Sequence, residues 1–479
     1  MTDASPAVLW TADEVHAATG GAVTGNAAWQ ATGVAIDSRT IQAGDLFVAI
    51  AGPNHDGHQF VAEAIAQGAV AAVVADTFDA PTDDLPLVRV ADPLDALRKL
   101  GQAARARMQG TVIAVTGSVG KTGTKEALRG ALDRYQPTHA SVGSFNNHWG
   151  VPLSLARLPR DARFAVFEIG MNHAGEIGPL SRLVRPHAAI ITTVEPVHLE
   201  FFDSVTGIAD AKAEIFEGLE PDGIAILNRD NVFYDRLADA ARTAGAARII
   251  GFGESQAAEA RLIKAALNET CTCISADICG QAMTYKIGAP GRHWVMNSLA
   301  VLAAVSAVDA DLGLAGLALA DLSPPEGRGQ RTTVTTRDGT FLVIDESYNA
   351  NPASMRAAID LLGATLVART GRRIAVLGDM LEMGEDSPAY HKALAPIVDA
   401  AAVDLLFCCG PNMKALADAL SPAVLGGWTE ESASLVRAVV AEARPDDVFM
   451  VKGSLGSRMA PIVQALKALD RQPQRANGG

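Results

Sequence analysis

Val112-Ile-Ala-Val-Thr-Gly-Ser-Val-Gly-Lys-Thr122 is the stretch of sequence that decides the fold. A run of apolar, mostly β-branched residues ends in a glycine turn, and a helix-compatible segment follows at residues 125–133. A strand, a turn and a helix in this order direct backbone N–H groups and the positive end of the helix dipole to one point, which suits a phosphate. The Lys121 ammonium can reach the β- and γ-phosphates, and the Thr122 hydroxyl can ligate Mg²⁺. The stretch therefore predicts a nucleotide-binding α/β domain.

The glycine spacing in this turn is Gly-x-x-Gly-Lys-Thr, two residues shorter than in the general phosphate loop. The alternative is an ordinary strand-to-helix turn, but a lysine placed between such glycines has little structural use. We therefore expect the residues of the turn to contact the nucleotide phosphates. These residues are Gly117, Ser118, Val119, Gly120, Lys121 and Thr122.

The composition of the whole chain excludes several classes of protein. Its 479 residues are 49% hydrophobic and 5% aromatic, which is typical of a compact α/β enzyme of two to four domains and not of a disordered chain. The net charge is −14 and no basic block precedes the C-terminal tail, so we expect neither nucleic acid nor an anionic membrane as a partner.

The termini and the cysteines bear on the compartment. The N-terminus lacks a basic segment followed by an apolar core, and no apolar run is long enough to cross a bilayer, so we expect a cytoplasmic protein. The cysteines have no Cys-x-x-Cys spacing, which predicts buried or reduced thiols in a reducing compartment. They are Cys271, Cys273, Cys279, Cys408 and Cys409.

Three segments of the chain predict three α/β domains. Residues 1–109 form a small α/β unit that closes with a predicted helix over residues 92–108. Residues 110–325 alternate strands and helices, which predicts a mostly parallel sheet. A linker rich in proline and glycine lies at residues 324–329, and residues 326–479 then predict a Rossmann-like, doubly wound domain with polar strand-end loops.

Candidate chemistry in the central segment lies at strand ends, where parallel sheets carry their sites. Glu168 ends an apolar strand, and a carboxylate there is costly without a cation, so Glu168 is a predicted Mg²⁺ ligand. A helix cap or a salt-bridge acid is the alternative. His198 follows the next strand, beside the presumed nucleotide, which favours a functional role over a surface one. Lys212 lies in an amphipathic helix, where spacing alone indicates a solvated charge.

Other candidates lie at the ends of predicted elements. His293 and Asn297 project from the first turn of an alanine-rich helix, which is a suitable place for contacting a base or ribose. Ser38 and Arg39 lie at element ends in the first segment, where ligand contacts concentrate, although spacing alone favours structural roles for them. The strand-end loops of the third segment suit a second substrate in a cleft facing the central domain.

Taken together, these motifs give the chain a resemblance to the Mur ligase family, the ATP-dependent amide-forming enzymes of peptidoglycan precursor synthesis. The segment Ser347-Tyr-Asn-Ala-Asn-Pro352 is the most discriminating, because it resembles the branch that adds D-alanyl-D-alanine. The Asp-Asn-Pro-Arg motif of the diaminopimelate-adding branch is absent. The other motifs are Asp37-Ser-Arg39, Gly44-Asp-Leu-Phe47, Asp56-Gly-His58, Thr116 to Thr122, Phe145-Asn-Asn147, Glu168-Ile-Gly-Met-Asn172, Pro196-Val-His-Leu199, Gly378-Asp-Met380 and Val451-Lys-Gly-Ser454.

The resemblance implies an amide ligase that acts through an acyl phosphate. It would add D-alanyl-D-alanine to UDP-N-acetylmuramoyl-tripeptide and release ADP and phosphate. It implies ATP and two Mg²⁺ ions as cofactors, and a carbamylated Lys212 in place of a solvated charge. The implied catalytic residues are Lys121, Glu168, His198 and Lys212, and the implied metal ligands are Thr122, Glu168, His198 and Lys212.

The resemblance also implies the remaining contacts of a monomeric enzyme. Further ATP contacts would come from His293, Asn297, Arg328 and Asp345, the last of these at the ribose or a neighbouring group. The UDP end of the substrate would meet Ser38, Arg39, Asn146 and Asn147. The C-terminal loops would bind the second substrate through Tyr348, Asn349, Asn351, Lys452 and Ser454.

Four residues depart from the pattern of the family. Trp294 stands where asparagine is frequent, Glu346 follows Asp345 where a second aspartate is common, and His148-Trp149 replaces a more usual pair. Two alternatives stay open. One is another ligase of the superfamily, such as the diaminopimelate-adding enzyme or a folylpolyglutamate synthetase, and the other is a non-catalytic nucleotide-dependent switch. The third residue of the tripeptide, diaminopimelate or lysine, also stays open.

Overall fold

The computed structural model describes residues 7–52, 55–197, 199–268 and 270–470. In these residues the strands form three large sheets, each built from one continuous portion of the chain. The predicted three-domain α/β fold is confirmed, while the boundaries at residues 109/110 and 325/326 stay predictions. In the same residues no helix is both long enough and apolar enough to cross a bilayer.

The N-terminal portion builds a small sheet in the order β2-β7-β6-β5-β4, in which only the β2–β7 pair is antiparallel. Helix α1 begins at a capping box, in which the side chains of Thr11 and Glu14 each bind the other's backbone N–H. The elements are β1 (Trp10–Thr11), α1 (Ala12–Thr19), β2 (Ala22–Thr24), β3 (Gln30–Ala31), β4 (Gly33–Ala35), β5 (Asp45–Val48), α2 (Val61–Ala66), β6 (Ala71–Ala75), β7 (Leu87–Val90) and α3 (Pro93–Arg107).

The central portion builds the largest sheet, in the order β16-β15-β14-β13-β12-β11-β8-β10-β9. Its strands are parallel from β9 to β14, and β15 and β16 add an antiparallel edge. The elements are β8 (Thr111–Thr116), α4 (Lys121–Asp133), β9 (Thr138–Ala140), α5 (Gly150–Ala156), β10 (Phe164–Glu168), α6 (Ile177–Val184), β11 (Ala188–Ile191), α7 (Val205–Ala213), β12 (Ile224–Asn228), α8 (Tyr234–Thr243), β13 (Arg248–Gly253), β14 (Ala260–Leu267), β15 (Thr272–Ile278), β16 (Gln281–Ile287), α9 (Arg292–Ala307) and α10 (Leu312–Ala320).

The C-terminal portion builds a third sheet in the order β17-β18-β22-β19-β20-β21, with only β17 antiparallel to its neighbour. Separate apolar clusters cover its two faces, as expected for a doubly wound domain. The elements are β17 (Gln330–Thr335), β18 (Thr340–Glu346), α11 (Pro352–Ala364), β19 (Arg373–Gly378), α12 (Ser387–Lys392), α13 (Ala395–Ala400), β20 (Leu405–Cys409), α14 (Lys414–Ala417), β21 (Leu425–Thr429), α15 (Ser432–Glu442), β22 (Val448–Lys452) and α16 (Ala460–Lys467).

Strand β8 anchors the phosphate loop in the core. Val112 and Ala114 face one apolar cluster, whereas Ile113 and Val115 face the other, because successive side chains of a strand point to opposite faces. All four are fully buried, and burying each valine or isoleucine side chain contributes about 1.5–3 kcal/mol. The loop therefore follows a strand that is held on both sides.

Helix α4 begins at Lys121, so the sequence-based start at residue 125 is wrong by one turn. Gly120 has φ of 89°, a left-handed conformation that glycine adopts without a steric cost. The chain therefore turns directly from the loop into the helix. As a result, Lys121 and Thr122 belong to the first helical turn, next to the positive end of the helix dipole.

The cysteines agree only in part with the expectation of burial. All five are free thiols, and Cys408 and Cys409 are buried in β20. Cys273 is exposed, because it points to the open face of β15, which lies between β14 and β16 in the antiparallel part of the central sheet.

Candidate active site

A cavity of about 670 Å³ lies where the carboxyl ends of the central strands face the C-terminal sheet. The central portion supplies the phosphate loop, the segment after β9 and the start of α9, and the C-terminal portion supplies strand-end loops. The residues that line it include Ser118, Val119, Gly120, Lys121, Thr122, Ser144, Asn146, Asn147, Glu168, His293, Asn297, Arg328, Glu346, Tyr348, Asn349, Asn351 and Lys452.

The phosphate loop is packed so closely that its glycines cannot carry side chains. A Cβ at Gly117 would lie 1.9 Å from the Thr192 hydroxyl, and one at Gly120 would lie 2.7 Å from Asn297 Oδ1. Lys121 folds back over the loop and donates a hydrogen bond to the Gly117 carbonyl at 2.6 Å. Burial lowers the pKa of Lys121, and Glu168 offsets only part of this effect. A half-buried cation with so little compensation, on the wall of the cavity, fits an anionic ligand such as a triphosphate.

Thr122 and Glu168 meet directly at this loop. The Thr122 hydroxyl donates to Glu168 Oε2 at 2.8 Å, and the Asn146 amide donates to Glu168 Oε1 at 2.7 Å. Glu168 is 1% exposed at the end of β10 and caps no helix. The paired oxygens fit Mg²⁺, which is held in proteins by one or two carboxylates together with substrate phosphates. The hydrogen bond from Asn146 orients the carboxylate, and the predicted contact of Asn146 with the UDP end stays a prediction.

Lys212 is buried and not solvated, so the interpretation from helix spacing alone is wrong. Its side chain is 2% exposed, and within the described ranges its amine makes no hydrogen bond or ion pair. Burial lowers the pKa of Lys212 well below its ordinary value, and repulsion by the Lys121 ammonium adds to this effect. The residue does not line the cavity wall. His198, the other predicted metal ligand outside the loop, lies outside the described residues.

The start of α9 reaches the cavity as predicted. Asn297 lies against Gly120, and Trp294 lies against Gly123 in the core. Trp294 is therefore a packing residue between α9 and α4. Burial lowers the pKa of His293, while Glu346 on the C-terminal side acts in the opposite direction.

The C-terminal loops approach the phosphate loop through cationic side chains. The Arg328 guanidinium lies 4.2 Å from the Tyr348 ring centroid and 3.4 Å from the Ser144 hydroxyl. Lys452 is buried and donates to the Asn349 carbonyl at 2.9 Å. Its ammonium also lies 3.5 Å from Glu346 Oε2. Burial lowers the pKa of Lys452, and Glu346 partly offsets this.

Asp345 does not face the cavity, and Glu346 takes that position. The Asp345 carboxylate accepts hydrogen bonds from the backbone N–H and the hydroxyl of Ser347, at 3.1 and 2.6 Å, and lies 3.9 Å from Lys467 Nζ. It continues the buried face of Phe341 and Val343 along β18. The alternation of side chains along a strand places the next residue on the opposite face, and this signal was available in the sequence.

The other predicted contacts divide between the cavity and its surroundings. Tyr348, Asn349 and Asn351 line the cavity, and Asn351 also caps α11. Ser454 does not line it, because its hydroxyl binds the Leu381 N–H and so joins two loops.

The other residues predicted to contact the UDP end are Asn147, Ser38 and Arg39. Asn147 lines the cavity and accepts a hydrogen bond from the Gly150 N–H at 2.9 Å, at the start of α5. Ser38 and Arg39 lie in a short 3₁₀ helix of the N-terminal portion and do not line the cavity. The Arg39 side chain is 85% exposed and pairs with Asp37.

Models of three protein families match successive parts of the chain. The model of the Mur ligase family catalytic domain matches residues 30–105. The model of the Mur ligase middle domain matches residues 115–305. The model of the Mur ligase glutamate ligase domain matches residues 329–455.

Whole proteins are similar over nearly the full length. UDP-N-acetylmuramoyl-tripeptide--D-alanyl-D-alanine ligase from Rickettsia prowazekii is 32% identical over 430 residues, covering 90% of this chain and 94% of the relative. The ligase of the same name from Escherichia coli is 34% identical over 439 residues, covering 91% and 93%.

Solved structures agree with this similarity. MurF from Acinetobacter baumannii superposes with a TM-score of 0.81 at 29% identity, covering 96% of this chain and 99% of that one. MurF ligase from Thermotoga maritima, in complex with ADP, has a TM-score of 0.76 at 25% identity, covering 91% and 97%. A folylpolyglutamate synthase from Mycobacterium tuberculosis shares the fold alone, with a TM-score of 0.60 at 17% identity over 80% and 95%.

Proposed function

The chain belongs to the Mur ligase family, and we propose that it joins D-alanyl-D-alanine to UDP-N-acetylmuramoyl-tripeptide while ATP is cleaved to ADP and phosphate. The observation that carries this proposal is one cavity lined by a phosphate loop, an oxygen pair suited to Mg²⁺ and the loops of a second sheet. A nucleotide switch has no use for such C-terminal loops, so the cavity favours a ligase. We assign the chain to the branch that adds D-alanyl-D-alanine because relatives that all carry that name match about nine-tenths of the chain.

In the first step, the terminal carboxylate of the tripeptide attacks the γ-phosphorus of ATP. A carboxyl oxygen–phosphorus bond forms, the bond from the γ-phosphorus to the β–γ bridging oxygen breaks, and ADP leaves. The obstacle is repulsion between two anions, which the Lys121 ammonium and the N-terminus of α4 offset. Mg²⁺ held by Thr122 and Glu168 would supply further neutralisation of the phosphate charge.

In the second step, the amine of D-alanyl-D-alanine attacks the acyl carbon. The nitrogen–carbon bond forms, and the tetrahedral intermediate collapses to the amide as the bond from the acyl carbon to the phosphate oxygen breaks. The departing phosphate takes up the proton that the nitrogen loses. Tyr348, Asn349 and Asn351 are placed to hold the dipeptide, and Lys452 offers a cation for its carboxylate. Enclosure between the two sheets protects the acyl phosphate from water.

The environment of Lys212 supports the proposal that it is carbamylated. A neutral amine is the form that adds CO₂, and the depressed pKa of Lys212 favours that form. The carbamate would replace a cation that repels Lys121 with an anion that attracts it. It would also serve as a metal-directed oxygen ligand, and His198 remains the predicted ligand of a second Mg²⁺.

The remaining assignments concern the three portions of the chain and the ribose. Residues 1–109 bind the UDP end through Ser38 and Arg39, residues 110–325 bind ATP, and residues 326–479 bind the dipeptide. Glu346 replaces Asp345 as the C-terminal carboxylate that meets the ribose, because it alone of the two lines the cavity. The enzyme works as a cytoplasmic monomer without nucleic acid.

Phosphate release tests this function. ATP, Mg²⁺ and UDP-N-acetylmuramoyl-tripeptide are supplied with or without D-alanyl-D-alanine, and the product is weighed by mass spectrometry. We expect release that depends on the dipeptide, and a product heavier by one dipeptide less water. The diaminopimelate and lysine tripeptides, assayed in parallel, identify the third residue. Turnover with free diaminopimelate and a UDP-dipeptide instead would reassign the chain to the neighbouring branch.

A further inference from the structure

Lys125, one turn into α4, is a fully buried lysine that has no part in the proposed reaction. Its side chain is 0% exposed, and its ammonium donates to the Ser141 carbonyl at 2.6 Å and the Gly143 carbonyl at 2.8 Å. It also pairs with Glu126 Oε1 at 2.7 Å. An unpaired ammonium in such a place is costly to bury, so these three contacts offset the desolvation.

The two carbonyls belong to residues 141–147, an irregular segment between β9 and α5. This segment holds two groups of the ATP site. Asn146 donates to Glu168, and the Ser144 hydroxyl lies 3.4 Å from both the Thr122 hydroxyl and the Arg328 guanidinium. The segment also contacts strand β10 and the residues after it. The Ser141 N–H donates to the Val166 carbonyl, the Ser141 hydroxyl accepts from the Glu168 N–H, and the Asn146 carbonyl accepts from the Gly170 N–H.

We propose that Lys125 is a positioning residue of the ATP site. Its ammonium binds the start of the 141–147 segment to α4, the helix that also carries Thr122. The segment then holds Glu168 through Asn146, and Arg328 through Ser144. Helix α4 thus carries the Thr122 hydroxyl directly. It orients the Glu168 carboxylate indirectly, through the 141–147 segment and its Asn146. The inference rests on the proposed function only in that the loop binds a nucleotide with Mg²⁺.

The alternative is that Lys125 only stabilises the fold. An apolar side chain of similar length would fill the same space but would leave the two carbonyls and Glu126 without their partner, so a loss of stability by itself would not indicate a positioning role. The geometry gives the ammonium something that an apolar residue lacks, namely two hydrogen bonds to the Ser141 and Gly143 carbonyls at the start of the segment. Loss of this type of supporting contact costs about 10- to 100-fold in metal affinity or activity.

The test compares Lys125→Met with Lys125→Arg and, as a matched control, Lys99→Met, which alters an exposed lysine of α3. ADP binding is measured by calorimetry with and without Mg²⁺, and amide exchange is followed over residues 141–147. For Lys125→Met we expect about 10-fold or greater weakening of ADP binding in Mg²⁺, much less change without Mg²⁺, and faster exchange confined to the segment. Lys125→Arg restores part of the affinity, and Lys99→Met matches the wild type.

Unchanged Mg²⁺-dependent binding in folded Lys125→Met would overturn the proposal. So would an equal loss with and without Mg²⁺, accompanied by faster exchange throughout α4 and β8, because that pattern marks a purely structural role. If Lys125→Met does not fold, Asn146→Ala decides, since it removes the contact to Glu168 and leaves Lys125 in place. For Asn146→Ala we expect the same Mg²⁺-dependent loss of ADP affinity, and unchanged affinity would refute the proposed link from the 141–147 segment to Glu168. None of these readouts requires peptide-bond formation, so they are independent of the ligase assay.

Discussion

Two buried lysines near the phosphate loop have opposite surroundings. Lys125 is 0% exposed, and its ammonium binds two carbonyls and one carboxylate. Lys212 is 2% exposed, and in the part of the chain that the structure describes its amine binds nothing. The residue type and the burial are the same, so neither can identify a chemical role. The difference lies in the partners.

The partners give the two lysines different roles. Two carbonyl oxygens and one carboxylate hold the Lys125 side chain in place, so it serves as a fixed clamp. Around Lys212, burial and the Lys121 ammonium both lower the pKa and favour the neutral amine. A neutral buried amine is a nucleophile, whereas a clamped ammonium is not. The comparison therefore assigns reactivity to the Lys212 region and architecture to the Lys125 region.

Replacing Lys212 should have the largest effect of any single substitution proposed for this chain. Lys212→Met fills the same volume without a nitrogen, so we expect ligase turnover to fall by at least about 10³-fold because the proposed carbamate, an anion directed at the metal, cannot form. The free energy of unfolding should stay equal or rise, because methionine has no charge to desolvate. Steady-state phosphate release and urea unfolding measure the two quantities.

Lys264→Met, which changes a surface lysine of β14, is the matched control and should keep wild-type turnover. Near-normal turnover of Lys212→Met would break the comparison, because Lys212 would then be as structural as Lys125.

His139, which lies close in sequence to the segment that Lys125 contacts, should make the free energy of unfolding depend on pH while leaving turnover unaffected. His139, two residues before Ser141, has its pKa lowered to about 4 by burial, and its Nε2 lies 2.8 Å from the Ser154 carbonyl. The unfolded chain takes up this proton near pH 6.5, so its contribution to stability is complete above pH 6.5 and is lost as the pH falls towards 4. The loss should reach about 2 kcal/mol at about pH 5.

Urea unfolding at about pH 7 and about pH 5 measures this loss in the wild type and in His139→Gln. The variant should show a smaller drop by about that amount, because glutamine does not titrate. An equal drop in both proteins would show that His139 is not the group responsible.

The smallest expected effect separates two adjacent carboxylates at the end of β18. Glu346→Gln should raise the KM for ATP about tenfold, since a charged hydrogen bond to the ribose becomes a neutral one. Asp345→Asn should leave the KM unchanged and lower the melting temperature instead, because Asp345 holds Ser347 within its own loop. Initial rates at varied ATP and thermal scans of both variants give the answer, and a reversed pattern would return the ribose role to Asp345.

The sequence predicted the parts of the site that depend on local order. The strand, glycine turn and helix around Lys121 follow from residue types that each favour one conformation, and Glu168 follows from its place after a buried strand. The start of α4 was misplaced because Gly120 allows a left-handed turn without any break between loop and helix. The glycine was visible, but its conformation depends on packing against Asn297, far along the chain.

The sequence could not predict contacts that arise between distant elements. Lys125 meets Ser141 and Gly143 only because α4 packs beside the segment after β9. Lys212 lies on a short helix whose spacing alone indicated a solvated charge, and only the resemblance to a ligase family indicated a different role for it. The orientation of Glu346, by contrast, is a local property, because the alternation of side chains along β18 places it on the face opposite to Asp345.

The most direct test of the difference between the two lysines is carbon-13 NMR of the protein equilibrated with labelled bicarbonate. Neutral Lys212 should give one carbamate resonance, which disappears in Lys212→Met and persists in Lys125→Met. A resonance that survives in Lys212→Met, or none in the wild type at any bicarbonate concentration, would contradict the assignment of reactivity to Lys212.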